Sequence, residues 1–103
     1  MTSPEELLAS AHASCYAMAL SATLGRRGTP PERLHVTAVA ALDRKEGGGV
    51  KVSTMDLHVR GRVPGLDQAG FEEAAREGEQ GCPISNAIRN NVDIRLRAEL
   101  EPA

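Results

Sequence analysis

The apolar residues in the first quarter of the chain follow the period of a helix. Between Leu7 and Leu24 the chain is rich in Ala and Leu. Spacings of three and four place one set of these residues on a single helix face: Leu8, Ala11, Cys15, Met18, Ala19 and Ala22. Because Leu7, Ala17 and Leu20 extend that face, the pattern predicts a long helix that is buried on more than one side.

Residues that favour helix boundaries mark both ends of this helix. Ser3 suits the cap position, Pro4 suits the first helical position, and Glu6 stands three residues after Ser3, as a capping box requires. The glycines, basic residues and prolines between Gly25 and Pro31 predict where the helix ends.

Three later segments alternate between apolar and polar residues, as half-buried strands do. Residues 34–42 and residues 50–59 lie on either side of the run from Gly47 to Gly49, and this arrangement predicts a β-hairpin. Residues 92–100 alternate most clearly of all, so the chain is expected to end in a strand.

Between the hairpin and the last strand, the sequence predicts two helices. Asp67 suits the cap of a helix that runs through Phe71 and ends near Gly78 or Gly81. Pro83 suits the first position of a short third helix, which makes the preceding residue its cap.

The predicted order of elements is helix, two strands, two helices and a strand. We therefore expect a single domain over residues 1–103, of the α+β class, with two layers. It should contain a long central helix, an antiparallel hairpin, a helical crossover and a final strand. Three strands and few helices leave apolar surface to cover, so we expect a partner chain or additional strands to cover it.

Composition and charge exclude several functional classes. The net charge of −2 and the scattered cations argue against a nucleic-acid partner, since phosphate-binding faces are usually basic. The sequence contains no continuous apolar stretch of about 18 residues, so no membrane span is expected. Glu5 and Glu6 give the N-terminus the wrong charge for a secretory signal, and we expect a cytoplasmic protein. With only 2% aromatic residues, the chain should gain stability from a second copy.

Two cysteines are the main candidates for chemistry. Cys15 and Cys82 are too few for a disulfide scaffold or a structural zinc site, which leaves a transient redox pair or two unrelated buried residues. Cys82 precedes Pro83 and therefore caps a predicted helix, where backbone N–H groups favour a thiolate. Cys15 lies midway along the first helix, so its pKa should rise unless a cation is supplied. From the residues alone, Cys15 is more often a core cysteine.

Three segments change this balance: residues 3–21 (SPEELLASAHASCYAMALS), residues 81–88 (GCPISNAI) and residues 59–67 (VRGRVPGLD). In that order, they resemble the central-helix signature, the second cysteine motif and the strand-end segment of the OsmC/Ohr family (osmotically inducible protein C and organic hydroperoxide resistance proteins). The resemblance covers the whole chain in order, with the OsmC branch favoured.

The resemblance implies a thiol-dependent reductase of organic hydroperoxides that needs no metal or organic cofactor. Cys15 would be the cysteine that attacks the peroxide and becomes a sulfenic acid, and Cys82 would resolve that acid as a disulfide. A dithiol reductant, such as a lipoylated protein or a small thiol, would reset the pair. The family forms intertwined homodimers with sites at the interface, and Glu5 matches its acidic residue.

The chain departs from the family pattern at one important residue. In relatives, N-terminal strands that precede this segment carry an arginine that stabilises the thiolate and pairs with the acidic residue. Arg26 and Arg27 lie beyond the end of the helix, and ten helical residues separate Glu5 from Cys15 by about 15 Å, so Glu5 should act across a dimer interface.

Two explanations are open for the missing arginine. The sequence is either a shortened version of an ordinary enzyme or a short form whose site is weakened or completed by a partner. Shortening is favoured because uncovered apolar faces are costly. The alternatives to an enzyme are a non-catalytic dimerising domain and a small-ligand-binding domain. His12, three residues before Cys15, could pair with a thiolate, but packing or capping at an interface is favoured.

Overall fold

The helices lie on one face of a three-stranded sheet. A computed structural model describes residues 3–102. The order of elements along the chain is α1 (Pro4–Arg26), β1 (Arg33–Arg44), β2 (Val50–Arg62), α2 (Gln68–Gln80), α3 (Pro83–Ile88) and β3 (Asp93–Leu100). The predicted α+β class and the predicted order of elements are therefore confirmed, with boundaries that differ by a few residues.

The sheet has the order β1-β2-β3. β1 and β2 pair antiparallel, with a register shift between Ala41 and Leu42, and this confirms the predicted hairpin. β3 pairs parallel to β2, so that Thr54 lies opposite Asp93 and Gly61 lies opposite Leu100. A parallel neighbour requires a long connection, and α2 and α3 supply it.

The first helix begins at the predicted capping box. Glu6 accepts hydrogen bonds from the backbone nitrogen of Ser3 at 3.2 Å and from the Ser3 hydroxyl at 2.7 Å. Pro4 occupies the first turn, where its lack of an N–H group costs nothing. The local sequence therefore determines where α1 starts.

The predicted buried face of α1 is only partly right: Leu20 is buried and Cys15 and Ala19 pack against the core, but Met18 and Leu7 are exposed. The residues that are buried on α1 are Ala9, His12, Tyr16, Leu20, Thr23 and Leu24, a stripe rotated from the predicted one. Met18 is 73% exposed and Leu7 is 61% exposed, so the helix is buried on one side within the protomer. Apolar residues lie all round this helix, and the face with Tyr16 and Leu20 packs inward because larger side chains remove more apolar surface from water.

The core lies between the inner face of α1, α2 and the inner face of the sheet. Its buried members are Tyr16, Leu20, Leu24, Leu57, Val59, Val63, Phe71, Ala74, Ala75 and Cys82. Gly61 lies so close to Phe71 that a Cβ there would approach the ring to 2.6 Å. The opposite face of the sheet is exposed, and it carries the ion pair between Arg95 and Asp56 as well as the apolar Val39.

By length and composition alone, α1 could cross a membrane. It has 23 residues, and its most apolar window of 18 residues has a mean hydropathy of 1.3. The expectation of no membrane span rested on continuous apolar runs, a criterion that this mixed window does not meet. The helix packs against β1 and α2, and core helices of soluble proteins pass the same test of length and composition.

Candidate active site

Cys82 lies in the tight turn that joins α2 to α3. α2 ends at Gln80, Gly81 follows it, and Cys82 caps α3 with Pro83 in the first turn, as predicted. The Cys82 side chain is fully buried in the main core cluster. The turn therefore points a free thiol inward, toward α1.

Cys15 on α1 is half-buried, and it packs against the cluster that contains Cys82. Burial raises the pKa of the Cys15 thiol, the backbone N–H of Ile84 lowers it, and the Cys82 thiol raises it again. Both Ile84 and Cys82 therefore lie beside the Cys15 sulfur. The fold brings together two thiols that are 67 positions apart (82 − 15) in the sequence.

His12 links the two helices that carry the cysteines. Its Nε2 lies 2.7 Å from the Ser85 hydroxyl, and both side chains are fully buried. Burial lowers the pKa of His12; Glu79 acts in the raising direction and Arg89 in the lowering direction. The ring is therefore kept neutral, which opposes a thiolate–imidazolium pair and favours a packing role inside the protomer.

An ion pair that the sequence did not predict lies beside Cys82 and His12. Arg89 donates two hydrogen bonds of 2.7 Å to the two carboxylate oxygens of Glu79. The Glu79 side chain is only 10% exposed, so the pair is largely shielded from water. Glu79 precedes Cys82 by three residues and Arg89 follows it by seven. These opposite charges on either side of Cys82 were the sequence feature that could have predicted the ion pair.

Tyr16 is a buried residue of α1 that joins this helix to α2, near the turn that carries Cys82. Its hydroxyl donates a hydrogen bond of 2.9 Å to the Ala75 carbonyl oxygen of α2. Burial raises the pKa of Tyr16, with further contributions from Glu79 and Cys82. The phenol therefore stays protonated and acts as a fixed contact between α1 and α2.

The other charged candidates lie away from the cysteines. Glu5 is half-buried in the first turn of α1, and the protomer does not bring it to Cys15. Arg27 lies past the end of that helix and pairs with Glu77 at 2.9 Å and with Glu73 at 3.3 Å. Across residues 3–102, no group of three or more His, Cys, Asp and Glu side chains is arranged to hold a metal ion.

Comparison with known proteins places the chain in a family. Residues 1–97 match the family described as OsmC-like protein. The chain belongs to this family. The resemblance noted from the sequence is thereby confirmed.

Individual OsmC-like relatives agree with the family match. The chain is 34% identical to peroxiredoxin OsmC of Escherichia coli, over 90% of this chain and 64% of that protein. It is 31% identical to an organic hydroperoxide resistance protein of Xanthomonas axonopodis, over 92% of this chain and 65% of that one. The chain thus spans less than two thirds of the length of these relatives.

A solved structure gives the same fold. The crystal structure of an organic hydroperoxide resistance protein OsmC from Legionella pneumophila superposes with a TM-score of 0.85 at 31% identity. The match covers 95% of this chain and 69% of that chain. The OsmC-like fold is therefore established for this segment.

Proposed function

We propose that this OsmC-like domain belongs to a thiol-dependent reductase of organic hydroperoxides, with Cys15 and Cys82 as its redox pair. The observation that carries the proposal is the meeting of two free thiols, one on α1 and one at the cap of α3. The names of the two relatives, peroxiredoxin and organic hydroperoxide resistance protein, support a peroxide-related role.

The proposed cycle has three steps. The Cys15 thiolate attacks one oxygen of the hydroperoxide, the O–O bond breaks, and the departing alkoxide takes up a proton to leave as the alcohol. Cys82 then attacks the sulfenic sulfur, and water leaves as the disulfide forms. A dithiol, such as a lipoylated protein or a small thiol, reduces the disulfide by thiol–disulfide exchange. The cycle calls for no metal or organic cofactor.

The first step requires positive charge near Cys15. Burial raises the pKa of this thiol, so the N–H of Ile84 alone does not produce a thiolate at neutral pH. The arginine that the family pattern places in preceding strands, which these 103 residues do not include, would supply this charge when held by Glu5 across a homodimer interface. We expect such a protein to act in the cytoplasm, where dithiol reductants are abundant.

The exposed side of α1 supports a dimer. Met18 and Leu7 are large apolar residues on that side, and a second copy would remove them from water. A groove of about 620 Å³ beside Met18 runs between α1 and the start of β1, where Leu34 lies. This partly apolar groove supports a second candidate function, that of a non-catalytic dimerising or small-ligand-binding domain. The raised pKa of the Cys15 thiol also favours that alternative.

One experiment separates the two candidates. The reduced protein is treated with one equivalent of cumene hydroperoxide, and its intact mass and peptide map are recorded. We expect an intramolecular disulfide between Cys15 and Cys82, and Cys82→Ser should instead stop at oxidised Cys15. Two free thiols in the wild-type protein after treatment would falsify the redox function and leave the non-catalytic domain.

A further inference from the structure

Arg89 connects the segments on both sides of Cys82. Besides its two bonds to the Glu79 carboxylate, Nη2 lies 3.2 Å from the Glu79 carbonyl oxygen and 3.0 Å from Oδ1 of Asn86. Glu79 belongs to the last turn of α2, and Arg89 directly follows α3. The guanidinium therefore joins Glu79, before the turn that carries Cys82, to Asn86, after it, and we call these contacts the ring around the turn.

The backbone of Cys82 is part of the same ring. Its N–H donates to the Glu79 carbonyl oxygen at 3.2 Å, the acceptor that Arg89 also contacts, and its carbonyl oxygen accepts from the N–H of Asn86 at 3.0 Å. Nδ2 of Asn86 donates to the Gln80 carbonyl oxygen at 3.0 Å. The N–H and the carbonyl group of Cys82 are thus each connected to Arg89 through one intervening residue, Glu79 or Asn86.

We propose that Arg89 is a positioning residue for Cys82: with Glu79 and Asn86 it holds the thiol against Cys15, and so favours the formation of their disulfide both in rate and at equilibrium. The inference deepens the proposed function and rests on it for the peroxide step. Arg89 acts through geometry, because its charge is already balanced by Glu79 and its fork is occupied by fixed acceptors.

The position of Cys82 decides between two fates of an oxidised Cys15. In the first, the Cys82 thiol attacks the sulfenic acid, the S–S bond forms, and water leaves. In the second, another molecule of hydroperoxide oxidises the sulfenic acid to sulfinic acid, and the alcohol leaves. A displaced Cys82 slows the first reaction and leaves the second unchanged, so more protein should end as sulfinic acid.

The direct test measures the Cys15–Cys82 equilibrium without peroxide. Wild-type protein and Arg89→Lys are equilibrated with reduced and oxidised dithiothreitol, and the disulfide fraction is read by mass after thiol trapping. Lysine keeps the positive charge that pairs with Glu79. Its single ammonium group cannot reproduce the contacts of the guanidinium with both Glu79 carboxylate oxygens, the Glu79 carbonyl oxygen and Asn86 at once. We expect the equilibrium constant for disulfide formation to fall about tenfold, since small misplacements of reacting groups are costly.

Arg95→Lys is the matched control. Arg95 also forms a fork with a carboxylate, through bonds of 2.6 and 2.9 Å to Asp56, but on the exposed face of the sheet. The equilibrium constant for disulfide formation in Arg95→Lys should equal that of the wild type. Equal constants for Arg89→Lys and Arg95→Lys would overturn the positioning role. Should Arg89→Lys fail to fold, Asn86→Ala, at an exposed position, is expected to lower the constant in the same direction.

A peroxide titration keeps the two proposals distinguishable. With excess cumene hydroperoxide, Arg89→Lys should accumulate about tenfold more sulfinic acid per disulfide than Arg95→Lys does. Wild-type protein that forms the disulfide with oxidised dithiothreitol but leaves the hydroperoxide untouched would remove the proposed function alone. The dithiothreitol equilibrium would still decide whether Arg89 positions Cys82.

Discussion

The buried hydrogen bond between His12 and Ser85 joins the two cysteine-bearing helices at equivalent positions. Their side-chain atoms lie 2.7 Å apart, with His12 three residues before Cys15 and Ser85 three residues after Cys82. This buried hydrogen bond between α1 and α3 accompanies the meeting of the thiols and helps to hold the two helices together.

Replacing Ser85 with alanine should destabilise the fold. The change leaves His12 without its partner in a fully buried site, where Nδ1 already has no hydrogen-bond partner among the described residues. A buried polar group without a partner costs about 1–3 kcal/mol, and we expect a loss of that size in the free energy of unfolding, measured with urea. Ser14→Ala, at an exposed position on α1, is the control and should change it by less than about 0.5 kcal/mol. A Ser85→Ala protein as stable as the control would contradict the importance of this bond.

Stability should fall as the pH drops below about 6.5, the ordinary pKa of histidine. Burial lowers the pKa of His12 in the folded chain, so the unfolded chain takes up a proton that the folded chain does not. The contribution of His12 is thus complete above about pH 6.5 and is lost as the pH falls toward the lowered value. Glu6 and Glu101 also have lowered pKa values, but their contributions are lost only below about 4.5.

Urea unfolding at about pH 8 and about pH 5 measures this dependence at a fixed protein concentration. His12→Gln keeps a hydrogen-bonding group but removes the titration, so its stability should change less between these two pH values. Glu79 and Arg89, which pair with each other, lie near the ring and are left unchanged by this substitution. An equal pH dependence in the variant and the wild type would show that another group is responsible.

Introducing charge on the outer side of α1 should weaken the proposed dimer. Met18→Glu would place a carboxylate in an apolar interface, and burial of a methionine side chain is worth about 1.5–3 kcal/mol. The dimer dissociation constant, measured by analytical ultracentrifugation, should therefore rise at least about tenfold. Val39→Glu, on β1 and also exposed at 61%, is the control. If Val39→Glu weakened the dimer and Met18→Glu did not, the interface would lie on the sheet and not on α1.

Local chemistry allowed much of the fold to be predicted from the sequence. The capping box at Ser3, the glycine-rich hairpin loop and the cap at Cys82 depend on residues within a few positions of each other. Alternating apolar residues likewise predicted the strands, because the two faces of a strand differ within two residues. These features agree with the structure because no distant contact competes with them.

Tertiary contacts decided the rest. The inward face of α1 depended on which side chains best filled the space against α2 and the sheet: Tyr16, outside the predicted face, is buried, and Met18 is exposed. The pairing of Arg89 with Glu79 required the turn at Cys82 to fold back. The sequence by itself determined the elements and named the two cysteines; only the packing of α1 against α3 brought them together, since such contacts depend on the summed burial of residues far apart in the chain.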